Sequence, residues 1–172
     1  MILGEILASS FERAGYYTLV YPEYPSRIRG GDNNIQIVVA ETPHIAPREK
    51  VDFLFTMDAD LENVHQNEVN PGGVFFEALK DVNMRMRSEV ERIVGENWQV
   101  KNSAVAGIIW RNCQLSPSIL LGEIKSKLVG KNLELNLKVA KEGYKFELGK
   151  DFFRSNAPEA KFLVPRETRF LL

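Results

Sequence analysis

The sequence of 172 residues has little of the side-chain chemistry on which metal clusters and disulfide frameworks depend. It contains one cysteine and two histidines, and its net charge is −1 with a pI near 6.2. The single cysteine, Cys113, excludes an intramolecular disulfide and any multi-cysteine cluster held by this chain alone. Its neighbours (IIWRNCQL) look helical, which favours a buried structural thiol over a nucleophile. The near-neutral charge argues against a nucleic-acid-binding protein with a broad basic face.

The sequence also lacks a long apolar run. No stretch approaches the roughly 18 residues that a membrane span requires. The start of the chain carries no basic segment followed by an apolar core, as a secretion signal would. Because 44% of the residues are hydrophobic, the chain can still bury a normal core. The composition therefore predicts a soluble, cytoplasmic protein without a membrane span.

Catalytic motifs are absent as well. There is no Gly-x-Ser-x-Gly elbow, no phosphate-binding Walker loop and no complete Gly-x-Gly-x-x-Gly fingerprint. His44 and His65 stand apart from cysteines and paired carboxylates, so no metal site is predicted. Asp58 and Asp60 follow a predicted strand, where capping of the next helix is favoured over acid–base work. We predict no catalytic residue in this chain.

The apolar patterns predict alternating strands and helices in the first half and helices in the second. Strands are predicted at 16–22, 34–40, 51–57 and 74–76, with a possible short strand at 98–100. Helices are predicted at 1–14, 60–69, 80–94 and 104–114 (capped by Asn102 and Ser103), from Pro117 towards Gly130, and at 132–144. This alternation predicts an α/β fold with a mainly parallel sheet, flanking helices and a helical C-terminal half. Residues 1–145 form the predicted domain, and 146–172, which show no sustained period, form an extended tail or interface arm.

The most distinctive stretch is the segment of residues 24–33, here called the arginine loop. It places Arg27 and Arg29 two residues apart, directly before Gly30 and Gly31. Arginine offers forked donors, and paired glycines let backbone N–H groups approach an anion closely. The loop is therefore a candidate contact for a phosphate or carboxylate. An ordinary surface connection with two solvated arginines fits the same residues.

Several stretches together carry a resemblance to a known family. They are YPEYPSRIRGGDN at 21–33, APREKVD at 46–52, NPGGV at 70–74, NSAVAG at 102–107, and NLKVA at 136–140 followed by Gly143-Tyr144. In this order, over about residues 2–145, they resemble the γ domain of 2-oxoacid:ferredoxin (acceptor) oxidoreductases. The likeness is greatest to the γ domain fused ahead of the α domain in the fused subunit.

The resemblance implies a Rossmann-like scaffold and a non-catalytic subunit or domain that is not active alone. Thiamine diphosphate and Mg²⁺ would be held by α- and β-type subunits, and iron–sulfur clusters and ferredoxin would act elsewhere in the complex. None of these groups is expected to be bound by this chain alone. The loop would lie near the cleft that coenzyme A enters while a 2-oxoacid is converted to an acyl-CoA. The implied coenzyme A or anion contacts are Ser26, Arg27, Arg29, Gly30 and Gly31, with Glu23, Asp32 and Asn33 supporting the loop.

The sequence departs from the family pattern at both ends. The Gly-rich strand and turn that precede Gly4 in the family are absent, and no α domain follows Leu172. We therefore expect either that a separate α-type chain completes the protein or that it is a fragment or a remnant. The alternative function is a non-catalytic nucleotide- or coenzyme-A-binding scaffold module derived from the family. Selectivity among 2-oxoacids is expected to reside in other domains.

Overall fold

The chain forms six α-helices and four β-strands within residues 2–23, 34–43, 50–71, 79–130, 132–149 and 167–171, which this computed structural model describes. The strands are β1 (Tyr17–Glu23), β2 (Asn34–Ala40), β3 (Phe53–Leu54) and β4 (Glu167–Leu171). The helices are α1 (Ile2–Arg13), α2 (Ala59–His65), α3 (Leu79–Val94), α4 (Lys101–Asn112), α5 (Pro117–Lys127) and α6 (Leu133–Gly143). Single 3₁₀ turns lie at Gln66–Glu68 and Trp98–Val100.

Most helix boundaries follow local sequence signals. α1 ends before Gly15, whose φ of +99° is accessible to glycine at little cost. α5 begins with Pro117 at its first turn after Ser116, as predicted. Two local predictions are wrong: the possible strand at 98–100 is a 3₁₀ turn, and the proposed cap at Asn102 and Ser103 lies inside α4.

The sheet is mixed, with strand order β1-β2-β4-β3. β1 and β2 are antiparallel from Tyr17↔Ala40 to Glu23↔Asn34, and β4 is antiparallel to β2 and parallel to β3. The α/β class is confirmed, but the mainly parallel, Rossmann-like sheet that the sequence predicted is not shown: in the described residues the two long ladders are antiparallel, and only the short β3–β4 pair is parallel. The physical reason is the connection from β1 to β2, which has only ten residues, whereas parallel neighbours need a longer crossover.

These pairings fix the direction of every strand. β1, β3 and β4 run the same way and β2 runs against them. The ends of β1, β4 and β3 and the start of β2 therefore lie along one side of the sheet, here called the carboxyl edge. The arginine loop connects β1 to β2 at this edge.

One large core lies between the sheet and the helices. Ile37 of β2 is fully buried together with Phe11 of α1 and Trp110 of α4. The Phe11 ring contacts Trp110 with a centroid distance of 5.0 Å and meets Tyr16 edge-on at 6.0 Å. A smaller cluster, Val51, Leu54 and Val69, is separate from this core. Burying each large apolar side chain contributes about 1.5–3 kcal/mol, so these contacts position α1 and α4 against β2.

The structure describes two parts of the C-terminal segment, 146–149 and 167–171, and both contact the rest of the chain. Asn112 accepts a hydrogen bond from the backbone of Leu148 (2.9 Å) and donates one to the carbonyl of Phe146 (3.1 Å), which ties residues 146–148 to α4. Glu167–Leu171 is extended, as predicted, but it pairs with β2 and β3 of the same chain rather than forming a separate arm. The boundary at residue 145 stays a prediction, and the strand predicted at 74–76 lies outside the described residues.

Candidate functional site at the carboxyl edge

The arginine loop is anchored at two neighbouring positions of the sheet. Glu23, the last residue of β1, pairs with Asn34, the first residue of β2. The ten residues between them leave and re-enter the sheet side by side. The predicted contacts Ser26, Arg27, Arg29, Gly30 and Gly31, and the supporting residues Asp32 and Asn33, lie outside the described residues, as does the side chain of Glu23. Their roles stay predictions, whereas the anchoring of the loop is observed.

Asn34 presents an unused acceptor at this anchor. Its Oδ1 is buried, and no described residue donates a hydrogen bond to it. A buried acceptor without a donor costs about 1–3 kcal/mol. The position therefore favours a donor brought by a neighbouring segment or a ligand.

At the end of β3, the side chain of Asn83 in α3 makes hydrogen bonds to the backbone, as a neighbouring strand would. Its Nδ2 donates to the carbonyl of Leu54 (3.1 Å), and its Oδ1 accepts from the N–H of Thr56 (3.1 Å). A side-chain amide has one donor side and one acceptor side, so it can satisfy both backbone groups at once. Asn83 is fully buried. α3 is therefore held against the end of β3 by a polar side chain.

An ion pair reinforces this junction. Arg87 Nη1 donates to Glu62 Oε2 of α2 (2.8 Å) and to the carbonyl of Thr56 (3.3 Å). Glu62 has 5% of its side chain exposed and Arg87 16%, so both charges are largely removed from water. Hydrogen bonds between ionised groups are stronger than neutral ones. The pair joins α2 and α3 to the backbone that follows β3.

Asp58 caps α2, as the sequence interpretation favoured. Its Oδ1 accepts from the N–H of Asp60 (2.9 Å), while Thr56 Oγ1 donates to its carbonyl (3.0 Å) and accepts from its N–H (3.1 Å). Asp60 is exposed in the first turn of α2, where a carboxylate suits the helix dipole. Both residues are placed for helix capping.

Of the two histidines, the structure describes His65 alone. His65 Nδ1 lies 2.7 Å from Glu68 Oε1, one turn further along the chain. His44 lies outside the described residues. Across the ranges that the structure describes, no three histidine, cysteine or acidic side chains are grouped as metal ligands would be.

The strand register places the loop anchor at Asn34 and the end of β3 at Thr56 at the same level along the strand direction. Tyr21, Gln36, Leu171 and Leu54 form one row across the sheet, so Thr56 and Asn34 each lie two residues beyond that row. Only β4 lies between β2 and β3, so two inter-strand spacings, about 10 Å, separate Asn34 from Thr56. One ligand or one partner surface can therefore contact both the loop anchor and the end of β3.

The sequence profile of a family described as pyruvate ferredoxin/flavodoxin oxidoreductase matches residues 1–146. The chain belongs to this family. The match includes both anchors of the arginine loop and every residue of the junction after β3. No curated protein matches the chain.

Two of the stretches that resemble this oxidoreductase family meet between α4 and α6. Ser103 Oγ donates to Asn136 Oδ1 (2.7 Å), which joins NSAVAG to NLKVA. A Cβ built on Gly107 would overlap the backbone carbonyl of Ala140, and one built on Gly143 would overlap that of Ala104. Glycines at both positions let the two helix backbones touch. In this chain of the oxidoreductase family, these stretches therefore act in packing.

The one cysteine, Cys113, lies near Tyr16, which precedes β1 at the end of that strand opposite the carboxyl edge. Cys113 is buried, and burial strongly raises the pKa of its thiol, which stays protonated. The pKa of Tyr16 is raised by burial first and then by Cys113 and Glu41. A protonated, inaccessible thiol is a poor nucleophile. The arrangement agrees with the structural role predicted for Cys113.

The sequence did not single out Asn83, Glu62 or Arg87 as site residues. Glu62 and Arg87 are 25 positions apart on different helices, and no spacing rule relates them. A polar Asn on the apolar side of a predicted helix, among Val82, Met86 and Val90, was the one available signal. None of the described helices combines the length and apolar character needed to cross a membrane.

Proposed function

We propose that this chain is a γ-type subunit or domain of a thiamine-dependent 2-oxoacid:ferredoxin oxidoreductase. In the proposed complex, α- and β-type subunits hold thiamine diphosphate and Mg²⁺, and iron–sulfur clusters elsewhere in the complex pass electrons to ferredoxin. This chain contributes scaffold and contacts to the cleft for coenzyme A. The observation that carries the proposal is the family match over residues 1–146 of 172.

The position of the arginine loop supports the coenzyme A contact. Its ends are pinned together at Glu23 and Asn34, on the same edge as the end of β3. Ligands of α/β proteins commonly bind beyond the carboxyl ends of strands. Coenzyme A carries several phosphates, and arginine binds phosphate through paired donors. In this proposal Arg27 and Arg29 contact those phosphates, while Ser26, Gly30 and Gly31 supply short polar side chains and backbone N–H groups.

The subunit role is tested by reconstitution. The chain is co-expressed with α- and β-type chains encoded beside it, and 2-oxoacid- and coenzyme-A-dependent reduction of a viologen is measured. We expect the chain to co-purify in fixed stoichiometry and the activity to require it. Failure to associate with any α- or β-type chain, or full activity in its absence, would contradict the proposal.

The coenzyme A contact is tested in the same complex with Arg27→Ala and Arg29→Ala. Losing a charge-assisted hydrogen bond costs about 1.5–3 kcal/mol, so the KM for coenzyme A should rise about tenfold or more for each change. The KM for the 2-oxoacid should stay unchanged. Arg92→Ala is the matched control, because Arg92 is exposed on α3 and pairs with its neighbour Glu89.

An unchanged KM for coenzyme A in the loop variants would place the phosphates elsewhere and contradict this contact while leaving the subunit role intact. Arginine-dependent binding of coenzyme A by a chain that joins no oxidoreductase subunits would instead support the scaffold alternative.

A further inference from the structure

β4 lies in the interior of the sheet although it is the last described segment of the chain. In the order β1-β2-β4-β3 it has a strand on each side: residues 167–171 pair with β2, and Phe170 and Leu171 pair with β3 as well. All of the helices from α2 to α6 lie between β3 and β4 in the chain. A distant part of the sequence therefore supplies an interior strand of the sheet.

The space that β4 fills, here called the strand slot, is bounded by residues that are removed from water. Residues 36–40 of β2 lie on one side, Phe53 and Leu54 of β3 lie on the other, and all of these residues are buried. A buried backbone group without a hydrogen-bond partner costs about 1–3 kcal/mol. Several such groups line the strand slot, so an extended occupant that pairs on both sides is strongly favoured.

Backbone pairing is the main interaction of β4 with the other described elements. Its principal contacts are with β2 and β3. The ladder with β2 is antiparallel from Gln36↔Leu171 to Ala40↔Glu167, and the ladder with β3 is parallel. A strand from a separate chain makes the same backbone hydrogen bonds as a strand of the same chain, as in strand addition between proteins. Pairing of this kind does not depend on a covalent connection.

β4 also joins the two parts of the carboxyl edge. The loop anchor at Asn34 belongs to β2, and Thr56 follows β3. In the described part of the sheet, β2 and β3 are connected through β4 and do not pair with each other. The presence of β4 in the strand slot therefore sets the spacing between the loop anchor and the end of β3.

We propose that β4 is a separable strand, and that the strand slot is a binding site for one extended segment with the sequence of residues 167–171. The slot takes this segment from the chain itself, and it accepts the same segment from a separate peptide when the chain's own copy cannot pair. The occupant runs antiparallel to β2 and parallel to β3 in both cases. This inference concerns the assembly of the sheet and is independent of the proposed coenzyme A contact.

The test uses the full chain with Phe170→Pro. Phe170 lies opposite Ile37 of β2 and Phe53 of β3, so its N–H points towards one of these two strands. Proline has no N–H and is excluded from interior strands, so the chain's own copy of the strand should no longer pair. Phe170→Val keeps the N–H and is the matched control. A fluorescent peptide of residues 165–172 is added to each protein, and its binding is measured by fluorescence anisotropy.

We expect Phe170→Pro to bind the peptide at least about tenfold more tightly than the wild type or Phe170→Val does. In those two proteins the tethered strand competes for the slot at an effective concentration of about millimolar. The peptide should also raise the thermal unfolding midpoint of Phe170→Pro, followed by circular dichroism, and leave that of the wild type unchanged. A peptide with proline in place of Phe170 should have neither effect.

Three results would each overturn the proposal. One is a Phe170→Pro variant that unfolds at the wild-type temperature and binds no peptide, which would mean that the sheet does not depend on β4. The second is a destabilised or unfolded variant that the peptide neither binds nor restores, which would mean that the slot requires the covalent connection. The third is equal binding of the peptide by the wild type and Phe170→Pro, which would place the peptide outside the strand slot.

Discussion

The carboxyl edge of the sheet and the contact between α4 and α6 are held together by different kinds of residue. At the carboxyl edge, Asn83 and the Glu62–Arg87 pair connect elements through polar side chains that reach backbone groups. Between α4 and α6, Gly107 and Gly143 let the backbones themselves come into contact. In the helices, stretches that mark the family therefore permit packing, whereas at the carboxyl edge buried polar groups connect the elements.

The largest expected effect is at the carboxyl edge. Arg87→Ala leaves the buried Glu62 carboxylate without its partner and should lower the free energy of unfolding by about 3 kcal/mol. Urea denaturation measures the change. Arg92→Ala, on the same helix but in an exposed pair, should stay within about 0.5 kcal/mol of the wild type. Equal effects of the two changes would mean that the Glu62–Arg87 pair does not hold the junction.

At the contact between α4 and α6, we expect destabilisation by steric overlap rather than by an unpaired charge. Gly143→Ala forces a methyl group against the carbonyl of Ala104 and should destabilise the chain by about 2 kcal/mol. Gly122→Ala is the matched control: its Cβ would meet nothing within 4 Å in α5, so the change should stabilise by about 0.5–1 kcal/mol. Thermal unfolding should therefore move in opposite directions for the two alanines. A shift of the same sign in both would contradict the close helix contact.

The smallest expected effect concerns alkaline pH. The pKa of Cys113 is raised in the folded state, so unfolding releases its proton once the pH exceeds the ordinary thiol pKa of about 8.5. The contribution of the protonated thiol to the free energy of unfolding is fully present below that pH. The free energy of unfolding should therefore fall by about 1 kcal/mol between pH 8.5 and 9.5. The raised pKa of Tyr16 adds a loss at higher pH. Denaturation curves of Cys113→Ala should show a shallower decline over this window, and an identical decline would place the titrating group elsewhere.

Local signals in the sequence predicted the elements well. Helical spacing and stop residues located α1, α3, α5 and α6, and runs of β-branched and aromatic residues located β1 and β2. These signals work because capping, turn chemistry and side-chain periodicity act within a few residues. The sequence did not predict which strands pair with each other. Nothing in Glu167–Leu171 predicted a strand between β2 and β3, because pairing partners are chosen by the rest of the sheet.

For the candidate site, the sequence by itself determined which residues could meet an anion, the family to which they belong, and that the arginine loop joins two strands. Tertiary structure decided that those strands are antiparallel, that the ends of β1 and β3 share an edge, and that Asn83, Glu62 and Arg87 meet there. The reason is the range of the interactions. Turn and capping preferences act between near neighbours, whereas strand direction and buried hydrogen bonds depend on residues far apart in the chain, which come together only when the core forms.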